Sequence, residues 1–121
     1  MELKHFTLKE FRCPCCHKVN MNEEFLRKLD KARDLAGVLF IITSGYRCPK
    51  HNKEVGGKPD SAHTKGLAAD IECFRSRNRF KIIESLLKVG FTRIGVGKNF
   101  IHVDMDSSKP QRVIWTYYGK E

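Results

Sequence analysis

The sequence predicts a small α+β domain occupying residues 1-121, with helices packed on one side of an antiparallel sheet. Two segments repeat apolar residues at helical spacing, and five short segments are β-branched or alternate apolar with polar residues. The scale agrees. A chain of 121 residues with 40% hydrophobic content can bury one core without disulfides, and it shows no internal repeat and no linker.

Thr7-Leu8-Lys9-Glu10 has the form of a capping box and predicts a short helical turn anchored by Phe6 and Phe11. Asn22 caps a helix whose apolar positions are Phe25, Leu26, Leu29, Ala32, Leu35 and Ala36, ending at Gly37. Residues 38 to 42 are β-branched and apolar, which predicts a buried strand. Residues 44 to 62, rich in Gly, Pro, Asn and Asp, predict a loop. A strand over 67 to 73 follows. A second amphipathic helix, from about Ser76 to Val89, presents Phe80, Ile82, Ile83, Leu86 and Leu87 and stops at Gly90. Strands near 91 to 96, 100 to 105 and 112 to 117 complete the chain, with Asp106 to Pro110 as a turn.

The formal charge is +9, from 23 basic and 14 acidic residues. Such an excess suits an anionic partner: nucleic acid, an acidic membrane surface or an acidic polymer such as a bacterial envelope. The basic residues are scattered, and no aromatic-interleaved nucleic-acid motif stands out, so nucleic acid is disfavoured. No run approaches the ~20 apolar residues of a membrane span. The first residues lack an apolar signal region, so the expectation is synthesis in the cytoplasm and action after lysis or non-classical release.

The chemistry concentrates in Ser61-Ala62-His63-Thr64-Lys65-Gly66-Leu67-Ala68-Ala69-Asp70 and in Phe100-Ile101-His102-Val103-Asp104. On a strand over 67 to 73, Ala68, Asp70 and Glu72 share one face; on the second strand Phe100, His102 and Asp104 do so. Gly66 permits a tight bend that folds His63 back toward Asp70. Two imidazoles and a carboxylate are one ligand short of a closed zinc tetrahedron, as a catalytic zinc requires. The competing reading is a hydrogen-bonded surface His and an unrelated strand Asp.

The first stretch resembles the S-x-H-x-x-G-x-A-x-D signature of the zinc D-alanyl-D-alanine carboxypeptidase family, which includes murein endopeptidases and many phage endolysins. Ile42-Thr43-Ser44-Gly45-Tyr46-Arg47, with Pro49 and His51-Asn52, is similar to the family's substrate-side segment. Phe100 to Asp104 followed by Trp115 completes the pattern, and the likeness covers roughly residues 6 to 117. It implies a hedgehog/DD-peptidase-like fold and a zinc cofactor on His63, Asp70 and His102. It also implies hydrolysis of peptide bonds in peptidoglycan stem peptides or cross-links, by a D,D-carboxypeptidase or an L,D- or D,D-endopeptidase. The expected partner is bacterial cell-wall peptidoglycan, met by a monomer.

The same resemblance makes Arg47 the substrate-binding and catalytic arginine, able to hold a carboxylate by two hydrogen bonds or to stabilise an oxyanion. Ser61 is read as a substrate-side residue that supports the site through hydrogen bonds. Relatives often carry an acid or His shortly before the last zinc His, where this chain has Asn99 and Phe100. Asp104 is then read either as the general base or as the carboxylate that orients His102. Two other functions remain on the same residues. One is a non-catalytic zinc-containing binding module, as in the similar hedgehog signalling domain. The other is a basic zinc-knuckle protein on nucleic acid, which leaves the His/Asp/His set unexplained.

Five cysteines raise a second question. Cys13 and Cys16 form a C-x-x-C, and Cys48 and His51 a C-x-x-H, the ligand types and spacings of a structural metal site. Reduced buried thiols, or a disulfide between Cys48 and the 13–16 cluster, are the alternatives.

Overall fold

The computed structural model describes residues 2–117. A 3-10 helix at Leu8–Phe11 is followed by α1 (Glu23–Ala36), β1 (Ile41–Ser44) and α2 (Pro49–Glu54). A second 3-10 helix at Ala62–Lys65 leads into β2 (Ala68–Glu72), α3 (Ser76–Lys88), β3 (Arg93–Val96), β4 (Phe100–Asp104) and β5 (Val113–Thr116). Thr7 N donates to the Glu10 carboxylate at 2.6 Å, and Asn22 Oδ1 accepts from Phe25 N at 2.9 Å, so both caps form where the sequence places them.

The five strands lie in the order β1-β2-β4-β3-β5. The sheet is mixed, which corrects the expectation of an antiparallel one: β5 runs parallel to β3, while the other three pairings are antiparallel. The reason is topological. Both sides of β4 are taken by β2 and β3, and the chain turning back after Asp104 pairs on the nearer free edge, that of β3, running parallel to it.

The core lies between one sheet face and the two long helices. Ala69, Ile71, Ile94, Ile101 and Val103 meet Phe25, Leu26, Leu29 and Ala32 of α1 and Ile82 and Leu86 of α3. Burying such side chains contributes about 1.5–3 kcal/mol each, the main force holding helices to sheet.

Three further expectations change. The buried strand at 38 to 42 becomes the edge strand β1, shifted toward the C-terminus, with Leu39 and Ile41 exposed and Phe40 buried. The loop at 44 to 62 contains α2, begun by Pro49 at its first turn and capped by Cys48, whose sulfur accepts from His51 N. Phe80, Leu87 and Leu35 face solvent, because the stripe each helix buries is narrower than its apolar content. No helix among the described residues is long and apolar enough to cross a membrane.

Candidate metal centre

The face of the sheet opposite the helices carries one rung that crosses all five strands. Ser44 of β1 pairs with Asp70, Asp70 with His102, His102 with Gly95, and Gly95 with Trp115. Period-two alternation puts Asp70, His102, Gly95 and Trp115 on the face away from the core, and the irregularity between Ile42 and Ser44 in β1 turns Ser44 to the same side. Asp70 and His102 are therefore direct cross-strand neighbours, and His102 Nδ1 lies 2.9 Å from Asp70 Oδ1.

His63 reaches the same point from the 3-10 helix before β2. Ser61 caps that helix, its Oγ accepting from His63 N at 3.2 Å, and Gly66 ends it in the left-handed region at φ 71°. A Cβ at Gly66 would also stand 2.0 Å from Asn20 O, so the bend depends on glycine twice over. His63 Nε2 lies 3.3 Å from Asp70 Oδ1.

The outward nitrogens fix both tautomers. His63 Nδ1 is 2.8 Å from Gly45 O, and a carbonyl only accepts, so Nδ1 carries the proton and Nε2 the lone pair. His102 Nε2 is 2.7 Å from Asp104 Oδ2, so Nε2 donates and Nδ1 keeps its lone pair for the centre. Asp104 is itself anchored, with Oδ1 accepting from Arg93 Nε at 2.7 Å and from Asp106 N at 3.0 Å. Its carboxylate thus stands behind the His102 ring, on the side away from Asp70.

The donor set fits zinc. His63, Asp70 and His102 each bring one ligand atom, all within 4.8 Å of one another. Zinc bonds of about 2.0–2.2 Å in a tetrahedron separate donors by about 3.3 Å, close to the 2.9 and 3.3 Å seen at Asp70 Oδ1. The second carboxylate oxygen of Asp70 goes to Arg47 Nη2 at 3.3 Å. Arg47 Nε also donates to Ser44 Oγ at 2.9 Å, and Nη1 to Asn52 Oδ1 at 3.2 Å. Burial pushes the Asp70 carboxyl up, and the hydrogen bonds to His102 and His63 outweigh it, holding the group well below the usual carboxylate range.

The family model for peptidase M15 matches residues 4–104, a span that takes in His63, Asp70, His102 and Asp104. The chain belongs to the peptidase M15 family. No curated protein matches it. M15 peptidases are zinc-dependent, and His63, Asp70 and His102 form a candidate ligand group in this chain.

In this M15 chain the centre lies in a cleft of about 590 Å³, walled by Arg47, Lys58, Lys109, Phe100, Trp115 and Tyr117, among others. Ser61 also lines it. The Trp115 ring stands 5.5 Å from His102 and carries the Arg93 guanidinium at 4.8 Å. Gly95 makes that possible: a Cβ there would come within 2.8 Å of both Trp115 and Tyr117.

Sequence reasoning missed two supporting groups, Arg93 and Gly95, and matched a third, Asn52, to the family's loop without giving it a role. Arg93, which anchors Asp104, is signalled only by a charged residue in an otherwise apolar strand. Gly95 has no local signal. Asn52 is buried, bridging Arg47 to Lys58 O through its Nδ2 at 2.7 Å, so the His-Asn pair of the loop owes its asparagine to Arg47.

The cysteines converge separately. The sulfurs of Cys13, Cys16 and Cys48 lie within 4.8 Å of one another. The His51 ring stands apart from that group: its Nδ1 is 3.8 Å from Glu54 Oε1, and only its backbone N–H reaches Cys48 Sγ. Burial pushes the Cys13 thiol up, but amides of Cys48, Cys16 and Cys15 aimed at its sulfur prevail and hold it at about 7.

Proposed function

We propose that this chain hydrolyses peptide bonds of bacterial peptidoglycan, in stem peptides or cross-links, as a zinc endopeptidase of lysin type. The observation that carries the reading is the division of Asp70: Oδ1 toward both imidazoles, Oδ2 toward Arg47, on the floor of an open cleft. His63, Asp70 and His102 would hold a zinc ion, which would supply Lewis acidity for hydrolysis by water.

The chain's own residues do the rest. Gly45 O and Asp104 hold the two imidazoles in the ligating tautomers. Asp104 is a positioning residue in this account, since both its oxygens are engaged by His102, Arg93 and the Asp106 amide. Three of the five Arg47 N–H groups bind Ser44, Asn52 and Asp70, leaving two for a carbonyl oxygen or a carboxylate of the substrate. Stem peptides carry free carboxylates, and Lys58 and Lys109 on the cleft wall favour them. Trp115 and Tyr117 offer apolar surface for small side chains such as alanine.

The cleft is neither enclosed nor flat, and a small, strongly basic chain suits a lysin that cuts within the wall, so we favour endopeptidase over carboxypeptidase action. Cross-linked muropeptides and a linear pentapeptide ending in D-Ala-D-Ala separate the two. Faster cleavage of the cross-linked substrate is expected. Release of terminal D-alanine alone, with cross-links and stems left intact, would overturn the endopeptidase assignment.

A further inference from the structure

We propose that Cys13, Cys16 and Cys48 hold a second, structural zinc ion, which clamps the N-terminal segment to the loop that carries Arg47. The site is distinct from the His63/Asp70/His102 centre and shares no residue with it.

The sulfurs come from two segments far apart in sequence. Cys13 and Cys16 sit on a turn closed by Cys13 N donating to Lys18 O at 2.9 Å and His17 N donating to Cys13 O at 2.8 Å. His17 takes a left-handed φ of 64°, a conformation uncommon for a residue other than glycine, and this carries the chain around the two sulfurs. Cys48 comes from the start of α2, and its backbone N–H donates to Cys13 Sγ at 3.4 Å. His51 N donates to Cys48 Sγ at 3.4 Å. Amide N–H groups directed at sulfur stabilise thiolate, the form that ligates a metal.

The spacing suits zinc. Tetrahedral Zn–S bonds of about 2.3 Å put sulfurs about 3.8 Å apart, inside the 4.8 Å limit within which all three already lie. A disulfide uses two sulfurs and leaves the third beside it without a role; a metal uses all three. Each thiol that ligates gives its proton to solvent, and Cys15 or a water completes four-coordination.

The clamp has a consequence for the catalytic centre. Tyr46 N donates to Phe11 O at 2.9 Å, so the strand of chain entering the cysteine turn runs beside the segment 45–48. That segment supplies Gly45 O to His63 and the Arg47 guanidinium to Asp70. Thiolate ligation thus pins the outer supports of the first centre without touching its ligands.

The test is the metal content of protein purified under reducing conditions, with cobalt substitution as the spectroscopic readout. Wild type should hold two metal ions per chain. The His63→Ala/His102→Ala variant should keep one, with intense thiolate-to-cobalt charge-transfer absorption in the near ultraviolet. Cys16→Ser/Cys48→Ser should lose that absorption. Because the histidine variant retains every cysteine, it answers even where the cysteine variant fails to fold. Absence of the charge-transfer band from cobalt-loaded histidine variant, or a non-reduced mass showing a Cys–Cys bond among these three, would overturn the second site. Neither result bears on the peptidase reading, which is tested by cleavage.

Discussion

Asp70 and His102 face each other directly in the β2–β4 register, and Asp70 Oδ1 stands 2.9 Å from His102 Nδ1. That one pairing places a carboxylate and an imidazole on the solvent side of a sheet whose other face is core. A slip of one residue would bury both groups among Ile71, Ile101 and Val103. The hydrophobic packing of α1 and α3 thereby sets the register, and the register sets the metal centre.

Asp104→Asn tests how His102 is held. An amide nitrogen in place of Oδ2 cannot accept from Nε2–H, so the ring loses the partner that keeps the Nδ1 lone pair inward. The expected result is a fall in zinc affinity of about 10–100-fold, with turnover at saturating zinc within tenfold of wild type. A general base would instead cost about 10²–10⁴-fold in turnover with full zinc occupancy. Zinc competition with a chromophoric chelator, alongside kinetics at saturating metal, distinguishes them.

Arg47→Lys keeps the charge but loses the planar fork that spans Ser44, Asn52 and Asp70. If the remaining N–H groups act on the carbonyl oxygen, kcat falls with little change in KM. A rise in KM with kcat intact would point to binding of a substrate carboxylate instead.

Zinc binding should weaken as pH falls, beginning above the ordinary imidazole value. Burial pushes the His102 pKa down, but the hydrogen bonds to Asp104 and Asp70 outweigh it and raise the group above 6.5. A raised value keeps the proton on the metal-free ring to higher pH, and a doubly protonated ring has no lone pair for a metal. The check is zinc affinity against pH, and a midpoint below 6.5 would contradict this.

Gly95→Ala should push the Trp115 and Tyr117 rings outward, because the new methyl would stand 2.8 Å or less from both, at a stability cost of about 1 kcal/mol, since these partly exposed rings can swing aside. Trp115 is the sole tryptophan, so its fluorescence reports its displacement from His102 without ambiguity. Thermal denaturation and the emission spectrum together read both effects.

Acid should loosen the turn after β4. Burial pushes the Asp106 carboxyl up, but Lys65 at 2.8 Å and the Ser108 hydroxyl and amide prevail and hold it below the usual carboxylate range. A depressed value stabilises the fold fully above the unfolded value of about 4, and the contribution is lost as pH falls through the lower folded value. Lys65→Met should flatten that part of the acid-unfolding profile, measured by circular dichroism.

The candidate metal ligands were only partly legible in local pattern, two on alternating strands and one ahead of a glycine that must bend; the family resemblance was what chose them over a hydrogen-bonded surface His and an unrelated Asp. Alternation alone put Asp70, His102 and Asp104 on their correct faces. The rung through Gly95 and Trp115 was not legible, since strand order depends on which edges are already occupied, and no local window contains that information. For the same reason the parallel β5 escaped. The helix α2 was hidden by its length of six residues, its proline start and an atypical cysteine cap. Arg93 acts through Asp104 on a neighbouring strand, and Asn52 through Arg47 and Lys58 of its own loop; each resembles an ordinary polar residue until the fold is present.

The central claim is zinc-dependent cleavage of peptidoglycan peptides at the His63/Asp70/His102 centre. Its most direct test is incubation of the protein with purified sacculi, with released fragments identified by mass. Wild type should release peptide-containing fragments carrying new termini. A chelator should stop the release, added zinc should restore it, and Asp70→Ala should abolish it. No release by zinc-loaded wild type, or release undiminished by the chelator or by Asp70→Ala, would contradict the account.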